Sequence, residues 1–360
     1  MSWQRHLRIL IGVFAGAMAG LYLFVFAMNP YGNMPVSVLG LHVIMDDNQR
    51  FQYPAIIRSG RYDSIVIGTS TARLLEPVGL EQIFGGRFAN LALNAGTAWE
   101  QYRIADLFLK EGPAPRTLVV GLDHVWCRAD ADTNRITVRG FPEWMFDADP
   151  WNDLLYLLNA RTVEIAGRRL GYALGLAHAR WPGNGYEVFT PPESMYDLAK
   201  AQAKIYGNGP RRIPPRQDPA YVAAASERGA WTFPALAWLE EIIAKGRWQR
   251  VLLVFMPVHQ AAQPRAGSAA AAREAECKWR IALLAAQAGW PALDFRIASG
   301  ITAVDSNYWD ALHYRLDIAE RVARGIERGI TSTGDDPNGD WRHLWADGDP
   351  ALARHVDRLD

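Results

Sequence analysis

The chain has no net charge, almost no cysteine and none of the common metal or nucleotide fingerprints. Each absence narrows the function. Its 38 Lys and Arg are balanced by 38 Asp and Glu. No basic field exists to hold a phosphate backbone, so no nucleic-acid partner is expected. Two cysteines in 360 residues exclude a disulfide-dense scaffold and an all-cysteine zinc cage. Cys127 and Cys277 lie too far apart to read as a metal pair. Two buried thiols, or one disulfide in an oxidising compartment, both fit them. No HExxH helix, no GxGxxG after a strand and no Walker pattern occur, so no metal and no nucleotide cofactor is implied. Asp130-x-Asp132-x-Asn134 opens with calcium-loop spacing, but Arg135 stands where Gly is needed and no Glu closes it. It reads as a solvated loop. What remains is a globular composition, 49% hydrophobic and 21% charged, with length for one large α/β domain carrying insertions.

The longest absence is at the N-terminus. Between Arg8 and Asp46 there is no Lys, Arg, Asp or Glu, and Ile9 to Met28 is a run of 20 residues that are apolar, Gly or Tyr. A helix of that length covers about 30 Å, the thickness of a hydrocarbon core. Arg5, His6 and Arg8 precede it, which keeps the short N-terminus in the cytoplasm and exports everything after Asn29. The expected location is the bacterial cytoplasmic (inner) membrane, single-pass, with the main domain periplasmic. A cleavable signal peptide is the rival, with Val25-Phe26-Ala27 as its small-residue site. The run exceeds the usual h-region of about 7–15 residues, which favours an uncleaved anchor. Asn29-Pro30-Tyr31-Gly32 ends the helix with turn chemistry.

Beyond the anchor the pattern is α/β. Short apolar runs at Asp63–Gly68, Phe88–Leu93, Thr117–Leu122, Arg250–Met256 and, weakly, Pro291–Phe295 read as buried strands. Helical periodicity separates them over Ala98–Lys110, Phe233–Lys245, Ser268–Ala288 and Leu316–Ile330. This alternation predicts a mostly parallel five-stranded sheet with helices on both faces. The expected division is a cytoplasmic stub and anchor at 1–28, a linker or lead-in segment at 29–62, an α/β domain at 63–330 and a polar tail at 331–360. An insertion at about 125–228, largely helical over Trp151–Ala179, is expected to lie over the active face. Its Trp126, Trp144, Trp151 and Trp181 are candidates for a sugar-stacking platform, against the commoner role of packed tryptophans.

Ligands of parallel sheets sit beyond the carboxyl ends of the strands. The first such turn is Gly68-Thr69-Ser70-Thr71, which exposes a hydroxyl at the sheet edge beside backbone N–H groups. A plain helix N-cap by Ser70 is the competing reading. The second turn is Asn94-Ala95-Gly96 and the third Gly121-Leu122-Asp123-His124. Late in the chain comes Asp310-Ala311-Leu312-His313, whose spacing puts carboxylate and imidazole on one side of a turn. A carboxylate held there fixes the imidazole tautomer, the third member's task in a serine triad. His259, after the fourth strand, and His124 are further candidates for the pocket.

The order of these blocks resembles the SGNH (GDSL-like) hydrolase superfamily. It is similar above all to the membrane-anchored SGNH-like proteins of bacterial envelopes. Those act with membrane-bound O-acyltransferases on exopolysaccharides, or in teichoic-acid D-alanylation. The resemblance implies a flavodoxin-like three-layer α/β/α fold, Ser70 as nucleophile, and Asp310 and His313 as its partners. It also implies an oxyanion hole with Gly96, and Asp123 at the position of the family's Asn. Thr69 replaces the family's Asp. An ionised Asp123 cannot donate a hydrogen bond, so it would have to be protonated, or lie aside while backbone N–H groups of Ser70 and Gly96 carry the oxyanion. The implied activity is an extracytoplasmic serine acyl esterase or O-acyltransferase acting on a glycan through an acyl-Ser70 intermediate. A catalytically silent binding or assembly subunit of a polysaccharide-modifying complex is the alternative that Asp123 keeps open.

Overall fold

The computed structural model describes residues 2–34, 43, 45–46, 48–149, 151–179, 183–332 and 334–344. Among them are six strands: β1 Ser64–Gly68, β2 Phe88–Asn90, β3 Thr117–Leu122, β4 Arg250–Phe255, β5 Ala292–Asp294 and β6 Arg342–His343. The helices are α1 Trp3–Met28, α2 Gln49–Arg58, α3 Pro77–Phe84, α4 Ala98–Glu111, α5 Ala160–Ala173, α6 Leu198–Tyr206, α7 Ala225–Ala230, α8 Ala235–Lys245, α9 Ala269–Ala288 and α10 Leu316–Thr331.

The sheet runs β2-β1-β3-β4-β5-β6, parallel except for β6. Side chains alternate across a strand, and here the alternation separates two cores. Ile65, Ile67, Val120, Leu122, Leu253 and Phe255 join residues of α2, α4, α8 and α9 in one. Val66, Val119, Leu252, Val254 and Leu293 join residues of α3 and α10 in the other. β1 to β5 are buried on both faces, which is why they read as continuous apolar runs. Gly68 and Gly121 face each other in register. A Cβ on either would stand 2.6 or 2.5 Å from the Cβ of Ala72. Both glycines are needed to let the turn after β1 fold down onto the sheet.

Three sequence expectations change. The sheet has six strands instead of five, because the segment expected as a polar tail returns to the domain. Trp341 is 1% exposed, packed beside Phe295. Asp340 and Asp336 pair with Arg321 and Arg328 of α10. The lead-in is no linker, since α2 buries Arg50, Tyr53, Ile56 and Ile57 in the domain. The insertion is divided. Residues 151–173 pack at the base of α1, where Val25 and Met28 are buried with Leu157 and Ala166. Its first stretch, with Val125, Arg128, Thr137 and Arg139, and Phe189 of its later part line the cavity at the carboxyl ends of the strands.

Cys127, just past β3, forms a disulfide with Cys277 of α9. Of the two sequence readings, the pair is the one present. α1 is long and apolar enough to cross a membrane.

Candidate active site

The turn that carries Ser70 follows β1. Ser70 is not a helix cap: turns continue through Leu74, and the N-cap of α3 is Glu76. Its Oγ lies 2.9 Å from His313 Nε2. His313 Nδ1 lies 2.8 Å from Asp310 Oδ2 and 3.0 Å from Oδ1. Asp310 Oδ1 also accepts the backbone N–H groups of Leu312 and His313. Burial pushes the Asp310 carboxyl up, but those N–H groups and His313 outweigh it and hold its pKa below the ordinary value. An ionised Asp310 accepts the Nδ1 proton and leaves Nε2 as the base facing Ser70. The His313 loop is itself held down by hydrogen bonds, among them one from the His259 N–H to Ala311 O at 3.0 Å. Trp309 N–H donates to His313 O at 2.8 Å, and the Tyr314 hydroxyl donates to Thr71 O. The structure thus brings Ser70 to the Asp310–His313 pair, with Ser70 and His313 separated by 243 residues in the chain.

The second turn is rigid for a reason invisible in its own residues. Fully buried Arg50 pairs with Glu100 at 2.6 Å and donates to the carbonyls of Asn94 and Ala95. Thr97 and Glu100 close a capping box at the start of α4. Ala95 sits at φ +49, a left-handed conformation uncommon outside Gly and Asn, and the Arg50 clamp holds it there. A Cβ on Gly96 would stand 2.7 Å from Leu93 Cβ, so glycine is required. Among the described residues, neither the Ser70 nor the Gly96 backbone N–H has an acceptor. Asn94 is a residue the sequence reading passed over as a donor. Its Oδ1 accepts from Arg73 Nη1 at 2.8 Å, which orients the amide, since arginine can only donate.

Asp123 is 2% exposed and lies to one side. One carboxylate oxygen accepts the Thr69 hydroxyl and the other the Val125 N–H at 2.9 Å. The carboxylate therefore braces the nucleophile turn. His259 is not at the pocket, contrary to expectation. It is fully buried, with Nε2 3.1 Å from Asp305 Oδ1 and Nδ1 accepting the Ala261 N–H at 3.1 Å. Its neighbours Val258 and Ala262 line the cavity instead, because the chain turns its imidazole inward between Tyr206 and Tyr308. His124 does line it and is exposed.

Ser70 and His313 open on a cavity of about 930 Å³ that also meets Asn94, Gly96, Asp123 and Arg139. Phe189 of the insertion forms one wall, its ring edge-on to His313 with centroids 5.2 Å apart. Arg73 holds that wall, its guanidinium over the Phe189 ring and on Glu187 at 2.7 Å. Among the described residues, no tryptophan of the expected platform lines the cavity. Trp126 is buried in the core with Nε1 on Gln101, and Trp144 stacks on Tyr156. Trp151 lies in the part that packs at α1, and Trp181 falls outside the described residues. No protein-family model and no curated protein matches this chain.

Proposed function

We propose that this protein is a membrane-anchored SGNH-like serine acyl esterase or O-acyltransferase that modifies an envelope or exopolysaccharide glycan. The Ser70–His313–Asp310 relay at the cavity is the observation that carries the reading. The order of the parallel strands, β2-β1-β3-β4-β5, is that of flavodoxin-like sheets and supports the superfamily assignment. Tyr22 and Val25 of α1 contact the domain, which supports an uncleaved anchor over a signal peptide.

In the proposed reaction, His313 Nε2 takes the Ser70 proton as Oγ bonds to the acyl carbon. The tetrahedral oxyanion is met by the N–H groups of Ser70 and Gly96 and by Asn94 Nδ2. Collapse breaks the bond to the leaving oxygen, which takes the proton from His313 and leaves acyl-Ser70. Water, or a sugar hydroxyl in the cavity, then gives its proton to His313 and bonds to the acyl carbon; the bond to Ser70 Oγ breaks, and Oγ takes the proton back from His313. Asp123 takes no part as an oxyanion donor, since its oxygens accept from the Thr69 hydroxyl and the Val125 N–H. A membrane-bound O-acyltransferase is the proposed partner that supplies the acyl group. The cavity is at the upper end of small-ligand sites, about 300–1,000 Å³, and suits a carbohydrate.

The test is fluorophosphonate labelling of the full-length chain in detergent, read by intact mass beside Ser70→Ala and His313→Ala. One adduct on the native chain and none on either variant is expected, with ester turnover lost in parallel. A folded native chain that takes no adduct overturns the proposal in favour of the silent binding subunit.

A further inference from the structure

We infer that residues 151–176 form a lipid-contacting collar at the base of α1, seating the catalytic domain on the bilayer surface; this rests on α1 spanning the membrane.

Depth is the first argument. The Tyr22 hydroxyl donates to Leu154 O at 3.2 Å. Tyr22 is six residues before the end of α1 at Met28, so this contact lies about 9 Å down the helix from its end. The same stretch of α1 packs Val25 and Met28 against Leu157, Ala166 and Val163. Lifting these turns clear of lipid would draw Arg8 into the hydrocarbon, because the apolar run is only as long as one core, about 30 Å. Residues 154–166 therefore lie level with the last turns of the span.

The surface there is the second argument. Leu155 is 83% exposed, Leu176 80%, Leu174 63% and Trp151 55%, with Leu158 and Leu170 also exposed. Among the described residues outside α1, no other stretch of this length exposes as many large apolar side chains. Exposed patches of this kind mark contact surfaces. Here the patch is continuous with the helix that enters the bilayer.

The pattern of α5 is the third. Thr162, Ile165, Ala166 and Arg169 are buried toward the domain and α1. Val163 and Leu170, seven apart, share a stripe beside that face, and Leu174 extends it past the helix end. Arg161, Glu164 and Arg168 form the remaining sector, in ion pairs with Asp46 and with one another. A helix whose apolar stripe is set apart from a charged sector is the arrangement of one lying in the membrane interface, and Trp151 and Tyr156, exposed in the same stretch, are residue types that favour that depth.

The experiment uses the full-length chain in phosphatidylcholine–phosphatidylglycerol nanodiscs. Both native cysteines are disulfide-bonded, so a nitroxide can be placed by a single introduced thiol. Leu155→Cys and Leu174→Cys are compared with Val13→Cys in α1 and with exposed Val222→Cys. Collision rates with oxygen and with a water-soluble nickel chelate are then measured. The oxygen-to-nickel ratio at 155 and 174 is expected to follow Val13 and to exceed that at Val222 several-fold. If 155 and 174 behave like Val222 while Val13 remains in lipid, the collar is wrong and the anchor stands. Val13 in water removes the anchor itself. Protection of 155 and 174 from both reagents assigns the patch to a protein partner and also overturns the proposal.

Discussion

Two histidines of this domain each pair with an aspartate, and they are set up as opposite tautomers. At His259 the Ala261 N–H donates to Nδ1, so the ring proton is on Nε2 and goes to Asp305. At His313 the carboxylate is on Nδ1, so Nε2 is the lone-pair nitrogen and faces the Ser70 hydroxyl. The surroundings differ as well. The His259 side chain is 0% exposed and that of His313 24%. Burial pushes the His259 pKa down against the pull of Asp305. Asp305 is pushed up by its own burial, yet Tyr206, Gln202 and His259 outweigh this and hold it below the ordinary value. A carboxylate beside an imidazole is therefore not a catalytic signature. What decides is which nitrogen it takes and what the other one meets.

Substitutions at the two sites break or sharpen that contrast. His313→Ala should lower fluorophosphonate labelling and ester turnover by on the order of 10⁶-fold, whereas His259→Gln should leave the rate at the native level. Comparable losses from both would erase the distinction. Next in size is Asp310→Asn, expected to cost about 10⁴-fold through the wrong tautomer, with the fold intact by circular dichroism. Asp305→Asn should show the reverse: unchanged labelling and a loss of about 1–3 kcal/mol in denaturant unfolding, because Tyr206 and His259 lose a charged acceptor. Asn94→Ala should slow acylation by about 10²–10³-fold with little change in substrate binding, as for a lost oxyanion donor. A change confined to KM would remove Asn94 from that role.

The smallest effect is in pH. His259 titrates lower in the folded chain than its ordinary value of 6.5. The unfolded chain therefore binds the proton first as pH falls, and stability declines from about pH 6.5 downward to the folded pKa. In His259→Gln that part of the acid limb should flatten in thermal melts scanned across pH. An unchanged limb would show that His259 is not its source.

The legible parts of this molecule were those written in local pattern. The uncharged run that becomes α1, the apolar runs of β1, β3 and β4 and the amphipathic Leu316–Ile330 each follow from side chains close in sequence. Ser70 and the Asp310-x-x-His313 pair could be nominated because each sits at the end of such an element. β6 could not, since Arg342 and His343 carry no strand periodicity and Trp341 is placed by contact with Phe295. Arg50 looked like one charge in a lead-in segment, yet it clamps the second turn from 44 residues away. Phe189 became a cavity wall only through its contacts with Arg73 and His313.

By itself, the sequence determined the apolar helix, the α/β alternation and the strand-end turns, because hydrophobic period and turn chemistry act over a few residues. Tertiary structure alone decided that His313 meets Ser70 while His259 meets Asp305, that Asp123 braces Thr69, and that one segment of the insertion packs on α1. Those outcomes depend on which groups far apart in the chain are buried together, and on which hydrogen bonds each must then satisfy.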